Sequence, residues 1–222
     1  MFKRLFDILL SFIGSIFLVP LLSLIAVLIK KEDGGPVFYR GERVGRQRKR
    51  FRIYKFRTME IDADKLGASS TSEDDPRITR VGRFLRKYKL DELPQLINVL
   101  KGEMSFVGPR PQVPWAVELY TEEQKALLSV RPGVTDYASI RFSNEAEILL
   151  GSADPDRDYL EKIAPEKIRL GLEYVRHHSL WIDLKIILAT IFAVSGGNPG
   201  WIVRLPGGAV SPAKHRHREG VG

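Results

Sequence analysis

Residues 5–29 read LFDILLSFIGSIFLVPLLSLIAVLI, a stretch whose only charge, Asp7, stands close to its start. As one straight helix it would be roughly 37 Å long at 1.5 Å per residue, enough to cross a hydrocarbon core of about 30 Å. It is too long for a signal peptide, and Lys30-Lys31-Glu32-Asp33 follows it where a small-residue cleavage site would stand. Pro20 lies inside the run. There it deletes a backbone hydrogen bond and clashes with the carbonyl of Ile16, so a bend is expected. The bend would leave arms of about 22 Å and about 15 Å, neither long enough to span. Both flanks are basic, Lys3-Arg4 before and Lys30-Lys31 after, and basic flanks are retained on the cytoplasmic side. Two topologies follow from these residues. One is a re-entrant helix over residues 1–30 that enters, breaks at Pro20 and leaves on the same side, with Ser15 and Ser23 near the freed backbone groups. The other is a kinked single span, since proline is common in membrane helices.

Outside this stretch the chain is globular in composition. It has 222 residues, 44% hydrophobic and 28% charged, enough for one domain with a sizeable core. Cysteine is absent, which excludes disulfide frameworks, zinc-thiolate sites, iron–sulfur clusters and cysteine nucleophiles. The net charge of +8 is unevenly placed. Arg40, Arg43, Arg46, Arg48, Lys49, Arg50, Arg52, Lys55 and Arg57 stand close together, and residues 77–90 add six basic side chains and no acidic one. Such a patch calls for a polyanion, a phosphorylated ligand or an anionic membrane face.

The pattern of the soluble part predicts a mainly α fold with a short β-hairpin (α+β). Val37–Arg40 and Phe51–Phe56 read as strands around a basic turn, and the period of two puts Lys55 and Arg57 on one face. Residues 62–76 read as a mobile polar loop. Thr79–Lys89 reads as a basic helix. Leu93, Leu96, Ile97 and Leu100 then mark the apolar face of a second helix, with Asp91 as its N-cap, Pro94 in its first turn and Gly102 just past its end. Trp115–Val130 reads as an amphipathic helix closed by the turn Arg131-Pro132-Gly133. Residues 165–194 carry helical periodicity, and the part from Leu180 on is apolar enough for the core or the membrane interface, with Trp181 near the headgroups. These divisions give a soluble region over residues 31–195, where any catalytic site would lie, and a basic, frayed tail over residues 196–222.

Two clusters could carry chemistry. Asp91-Glu92 sits at a helix start behind a basic helix, a setting that favours an ionised carboxylate and also suits a phosphate. Asp91 is then either an ordinary cap or a phosphoryl acceptor or magnesium ligand. Phe106-Val107-Gly108-Pro109-Arg110-Pro111 holds Arg110 between two prolines. That stiff backbone makes it a rigid loop with a solvated side chain or an aimed phosphate contact. A membrane-anchored nucleic-acid module would explain the charge but gives Asp91-Glu92 no role. A non-catalytic scaffold on anionic lipid would not explain the rigid turn at Arg110.

The order of these motifs resembles the bacterial sugar transferase family, the small monotopic phosphoglycosyl transferases. The basic flank and apolar run with its internal proline are followed by Lys55-Phe56-Arg57-Thr58-Met59, Asp91-Glu92-Leu93-Pro94-Gln95, Phe106-Val107-Gly108-Pro109-Arg110-Pro111 and Arg131-Pro132-Gly133-Val134-Thr135. The resemblance implies transfer of a phosphosugar from a UDP-sugar to a polyprenol (undecaprenyl) phosphate, with release of UMP, as the first membrane step of glycan assembly. It implies Asp91 as covalent nucleophile and magnesium ligand, Mg2+ as cofactor and Glu92 as the dyad partner. Lys55, Arg57, Arg110 and Arg141 become substrate contacts. It implies the cytoplasmic face of the bacterial inner membrane as location and no nucleic-acid partner, and leaves a homodimer open. Three departures stand out. The helix break is Val19-Pro20 where the family usually has Ser-Pro. Asp136 follows Thr135 where many members have Gly and place an Arg slightly later, which bears on Arg141. The extra membrane helices of larger relatives are missing, so the chain looks like the minimal catalytic unit.

Overall fold

The computed structural model describes residues 2–63, 71–143, 145–197 and 199–206. A 32-residue helix, α1 (Phe2–Asp33), opens the chain and continues through Pro20 without interruption. Its burial is inverted relative to a soluble helix. Asp7, Ser11, Ile25 and Ile29 face protein, while Phe2, Leu5, Leu9, Phe12, Phe17 and Leu24 are exposed. By length and composition the helix is able to cross a membrane.

The hairpin expected from the sequence is present as two short antiparallel ladders. β1 (Phe38–Tyr39) and β2 (Glu42–Val44) lead out, β3 (Arg50–Arg52) and β4 (Lys55–Phe56) return, and Tyr39 lies opposite Lys55 and Arg43 opposite Phe51. Of the polar loop expected over residues 62–76, residues 64–70 lie outside the described residues. α2 (Arg80–Lys87) follows, capped by Thr79, whose hydroxyl accepts from the amide of Gly82 at 3.0 Å.

Asp91 does not cap the next helix. Lys89, in a left-handed conformation (φ 55°), turns the chain into a 3₁₀ segment, Leu90–Gln95, and α3 (Leu96–Lys101) begins only after it. Pro94 explains the delay, because the residue before a proline is disfavoured in the α region. Gly102, at φ 83°, closes α3 as a left-handed C-cap. The apolar face expected on this segment is only partly buried. Leu96 packs inward, but Ile97 and Leu100 are exposed. Asn98 takes a core position instead, receiving the Tyr54 amide at 2.8 Å and donating to the Arg52 carbonyl at 2.9 Å. Leu93, Pro94 and Ile97 line an apolar cleft with Ser15, Leu22 and Phe38.

β5 (Ser105–Val107) pairs in parallel with β6 (Gly133–Thr135), a pair the sequence pattern did not suggest. The two strands approach so closely at Gly108 and Gly133 that a Cβ on Gly133 would stand 2.1 Å from the Gly108 amide nitrogen. The helix expected over residues 115–130 is instead α4 (Pro114–Glu118) and a 3₁₀ segment, Gln124–Ser129. Thr121 and Gln124 form a reciprocal box between the two. The Thr121 amide donates to Gln124 Oε1 at 3.0 Å, and the Gln124 amide to Thr121 Oγ1 at 3.4 Å. That box starts a new turn in place of extending the old one.

The rest is helical: α5 (Tyr137–Arg141), α6 (Glu145–Ile148), α7 (Pro155–Asp158), α8 (Ala164–His177) and α9 (Leu180–Val194). The periodicity over residues 165–194 thus divides at Ser179, an extended N-cap whose hydroxyl accepts from the Ile182 amide at 3.3 Å. α9 serves both environments read from its sequence. Asp183, Ile186 and Ala189 face the core, while Trp181, Leu184, Leu188 and Ile191 are exposed. Val203 and Leu205 also enter this core beside Val107, Tyr137 and Tyr174. Of the tail expected to fray from Gly196 on, Pro199, Val203 and Leu205 are buried while Trp201 is exposed, and residues 198 and 207–222 lie outside the described residues.

Candidate active site

Two stiff segments converge on the turn that carries Asp91 and Glu92. From one side the β1–β4 ladder presents Lys55, whose Nζ stands 2.8 Å from Glu92 Oε1. From the other, β5 runs into Gly108-Pro109-Arg110. The backbone there is fixed twice: the Gly133 amide donates to the Pro109 carbonyl at 3.1 Å, and the Arg110 amide donates to Asp136 Oδ2 at 3.3 Å. Asp136 is itself locked as the N-cap of α5, with Oδ1 accepting from the Ser139 amide at 2.7 Å and its hydroxyl at 2.8 Å. Arg110 then reaches Glu92 with both terminal nitrogens, Nη1 to Oε2 at 3.1 Å and Nη2 to Oε1.

The electrostatics of the two carboxylates diverge. Burial pushes Glu92 up, but the charges and hydrogen bonds of Arg110 and Lys55 outweigh it and hold the carboxyl well below the usual Glu range. Arg110 in turn is pushed up, chiefly by the charge of Glu92. Burial pulls Lys55 down, with Glu92 opposing. Asp91, also buried, is pushed up by burial, with Lys55, Arg86 and Lys89 pulling against it and Glu92 adding to the rise. This is opposite to the direction expected of a helix cap. Among the described residues the Asp91 carboxylate accepts no hydrogen bond. Glu92 is thus an anion neutralised by its two partners, and Asp91 is a buried carboxyl with no hydrogen bond among the described residues, set in a field of cations.

The remaining residues singled out in the sequence fall elsewhere. Arg57 does not share a site with Lys55: β4 ends at Phe56, so strand alternation no longer governs it. Its guanidinium forks onto Asp33 at the end of α1, 2.5 Å to each oxygen, and also donates to the carbonyls of Pro36 and Met59. Arg141 ends α5 and lies within electrostatic reach of Glu166, whose carboxyl is lowered chiefly by its hydrogen bond to Arg169. Arg86 is the site residue the sequence reading did not single out. It is one of six basic residues before Asp91, placed by the helix to donate to Thr58 Oγ1 at 3.0 Å and to act on Asp91 by its charge. Among the described residues no group of three His, Asp or Glu side chains could hold a metal ion unaided. A magnesium ion commonly takes one or two protein carboxylates and completes its shell with substrate phosphates and water, and the open carboxylate of Asp91 fits that pattern.

The bacterial sugar transferase family model matches residues 1–197. The chain belongs to the bacterial sugar transferase family. Among its relatives, the undecaprenyl-phosphate glucose phosphotransferase of Komagataeibacter xylinus is 42% identical over 196 residues, covering 85% of this chain and 35% of that protein. The UDP-glucose:undecaprenyl-phosphate glucose-1-phosphate transferase of Escherichia coli (strain K12) is 37% identical over 193 residues, covering 86% of this chain and 39% of that protein. The exopolysaccharide production protein ExoY of Sinorhizobium fredii (strain NBRC 101917 / NGR234) is 38% identical over 207 residues, covering 86% and 84%. The chain thus spans well under half the length of the first two and most of the third.

Proposed function

We propose that the chain is a phosphoglycosyl transferase that moves a phosphosugar from a UDP-sugar to a polyprenol phosphate and releases UMP. The observation that carries this reading is the divided carboxylate pair. Glu92 is consumed by Lys55 and Arg110, whereas buried Asp91 holds its oxygens free beside Lys55, Arg86 and Lys89. A carboxylate kept from hydrogen bonds is poorly stabilised as an anion and is the better nucleophile for it. The names of the relatives support undecaprenyl phosphate as the acceptor.

An Asp91 oxygen attacks the β-phosphorus of the UDP-sugar. The bond from that phosphorus to the bridging oxygen breaks, and UMP leaves with the electron pair. The acyl-phosphate left on Asp91 is then attacked by an oxygen of the polyprenol phosphate, which returns Asp91 as a carboxylate. Neither step needs a general base, so positioning and charge neutralisation carry the catalysis. Lys55, Arg86 and Arg110 supply fixed positive charge, and Asp136 keeps the Arg110 backbone in place. Magnesium, held by Asp91 and donor diphosphate oxygens, would supply further neutralisation of the departing UMP.

The site lies at membrane depth by the same proposal. Both ends of α1 are tied to one soluble body. Lys3 and Arg4 bond Asp183 and the carbonyls of Val99 and Leu100 at the start, and Glu32 and Asp33 bond the Val81 amide and Arg57 at the end. A straight 32-residue helix is about 48 Å long, and a span of that length would separate its ends across the bilayer. The tied ends support a re-entrant seat with both on the cytoplasmic face. The apolar cleft between α1 and Pro94 would then admit the first isoprene units beside Asp91. The deciding experiment omits the lipid. A panel of UDP-sugars should give a burst of UMP, at most one per active site, with a matching mass gain on the peptide containing Asp91. UMP release that strictly requires the lipid phosphate would establish direct transfer in a ternary complex.

A further inference from the structure

The first turn of α1 meets the strand that leads to Arg110. Lys3 Nζ donates to Asp183 Oδ2 at 2.5 Å and to the Val107 carbonyl at 3.1 Å. Asp183 is 1% exposed and Lys3 31%. The Tyr174 hydroxyl lies 2.7 Å from Asp183 Oδ1 and 3.0 Å from the same Val107 carbonyl, and it has one proton to give. A carboxylate is the stronger acceptor, so the hydroxyl proton goes to Asp183 and Val107 depends on Lys3. One turn further on, the buried carboxylate of Asp7 accepts from Ser105 Oγ at 3.0 Å and the Phe106 amide at 3.1 Å. Every residue of β5 is therefore held by α1, and Arg110 follows Val107 after Gly108-Pro109.

We infer that Lys3 and Asp183 are positioning residues: their ion pair latches the N-terminal end of the membrane helix onto the strand carrying Arg110, so that the Arg110–Glu92 fork is set only when α1 is seated. The inference rests on the re-entrant seat proposed above and goes beyond it by naming what holds that seat. A spanning α1 would carry Lys3 across the bilayer and leave Asp183 buried with the Tyr174 hydroxyl as its remaining side-chain partner among the described residues. Buried carboxylates deprived of their cation are strongly destabilised. Basic flanking charge alone makes no such demand, because it acts on Lys3 without reference to Asp183.

That difference designs the test. The chain has no cysteine, so Phe2→Cys gives a single handle for a membrane-impermeant maleimide applied to intact cells. The background is Lys3→Met, Lys3→Arg, Asp183→Asn or Lys3→Met with Asp183→Asn, and the UMP burst rate is measured on each purified full chain. Asp183→Asn is the critical arm, since it leaves the flank charge untouched. It should raise outside labelling above the parent and slow the burst about tenfold, less than the roughly hundredfold or more that stranding a buried charge costs, because Asn leaves no charge behind. Lys3→Met should do more, because it strands the buried carboxylate. The double variant should fall back toward Asp183→Asn, and Lys3→Arg should match the parent. Asp183→Asn that labels like the parent and bursts within twofold of it overturns the latch. If that variant does not accumulate, Tyr174→Phe decides in its place: a burst several-fold slower supports the latch, and one equal to the parent overturns it. A parent with no burst on any UDP-sugar defeats the proposed reaction but leaves the labelling comparison to judge the latch. A parent labelled at position 2 defeats the re-entrant seat itself.

Discussion

Arg110 closes on Glu92 as a fork, Nη1 on Oε2 and Nη2 on Oε1, while Lys55 takes the same Oε1 from the opposite side. Three charges thus settle into one compact group with a single net positive charge, directly beside Asp91. A fork of this kind depends on the planar guanidinium, which a lysine cannot reproduce. Arg110→Lys should therefore keep the charge and lose the aim. A charge-assisted bond is worth about 1.5–3 kcal/mol, so the UMP burst should slow by roughly ten- to a hundredfold with little change in melting temperature. A large fall in melting temperature at normal burst rate per folded molecule would make Arg110 structural. Lys55→Met should cost less, because the fork still neutralises Glu92.

Asp91→Asn should abolish the burst without harming the fold. The side chain is not an N-cap, so no helix depends on it. Its carboxyl is pushed above the ordinary Asp value by burial, which means the ionised form is disfavoured in the folded chain. For a group raised on folding, full stability is present below the unfolded value and is lost as pH rises through the folded one. Asn at 91 removes that loss. The variant should melt no lower than the parent at pH 8, and any advantage should vanish near pH 4 as the parent's Asp91 takes up its proton.

Glu92 should behave in the opposite sense. Its carboxyl is held well below the usual range by Arg110 and Lys55 against the cost of burial, so its contribution is present above the unfolded Glu value of about 4.3 and is lost as pH falls through the folded one. Glu92→Gln should melt below the parent at pH 7, and the gap should close progressively below about pH 4. A gap that stays constant with pH would mean that Glu92 contributes through packing and not through charge.

Arg57→Ala should act on stability alone. The guanidinium is buried and clamps Asp33 at the end of α1, far in bonding terms from the Glu92 cluster. Losing such bonds costs about 1.5–3 kcal/mol. Melting should fall accordingly, while burst rate per folded molecule stays within about threefold of the parent.

Arg57 also shows where reading the sequence stops working. Alternation on a strand pairs Lys55 with Arg57, but a strand of two residues has no room to enforce it, and the side chain follows its partner Asp33 instead. Asp91, Glu92 and Arg110 stand out in the sequence because each sits in a short motif with a proline close by, Pro94 for the first two and Pro109 with Pro111 for the third, and Lys55 stands out because it lies in a dense basic run. The hydropathy of residues 5–29 likewise announced α1. Arg86 was hidden among like charges, and only the helix phase of α2 selects it. The pairing of Lys3 with Asp183 spans nearly the whole chain and leaves no periodic trace. The β5–β6 pair is too short to show alternation, and the box at Thr121 and Gln124 outweighs the apolar pattern that suggested one helix over residues 115–130.

The seat of α1 gives the last prediction. Pro20 was expected to enforce the re-entrant path by breaking the helix, yet α1 continues through it. What holds the two ends together is a set of contacts at each end: Lys3, Arg4 and Asp7 at one, and Ile25, Ile29, Glu32 and Asp33 at the other. Cysteines placed singly at Phe2 and at Gly34 should both resist an impermeant thiol reagent in intact cells. Pro20→Ala restores one backbone hydrogen bond and relieves the clash at Ile16, which favours a straighter helix and so shifts some molecules toward spanning. With both ends tied to the soluble body, that shift should be a minority, and most of the position 2 cysteine should remain protected. If Pro20→Ala exposes nearly all of it, the proline sets the topology and the end contacts merely follow.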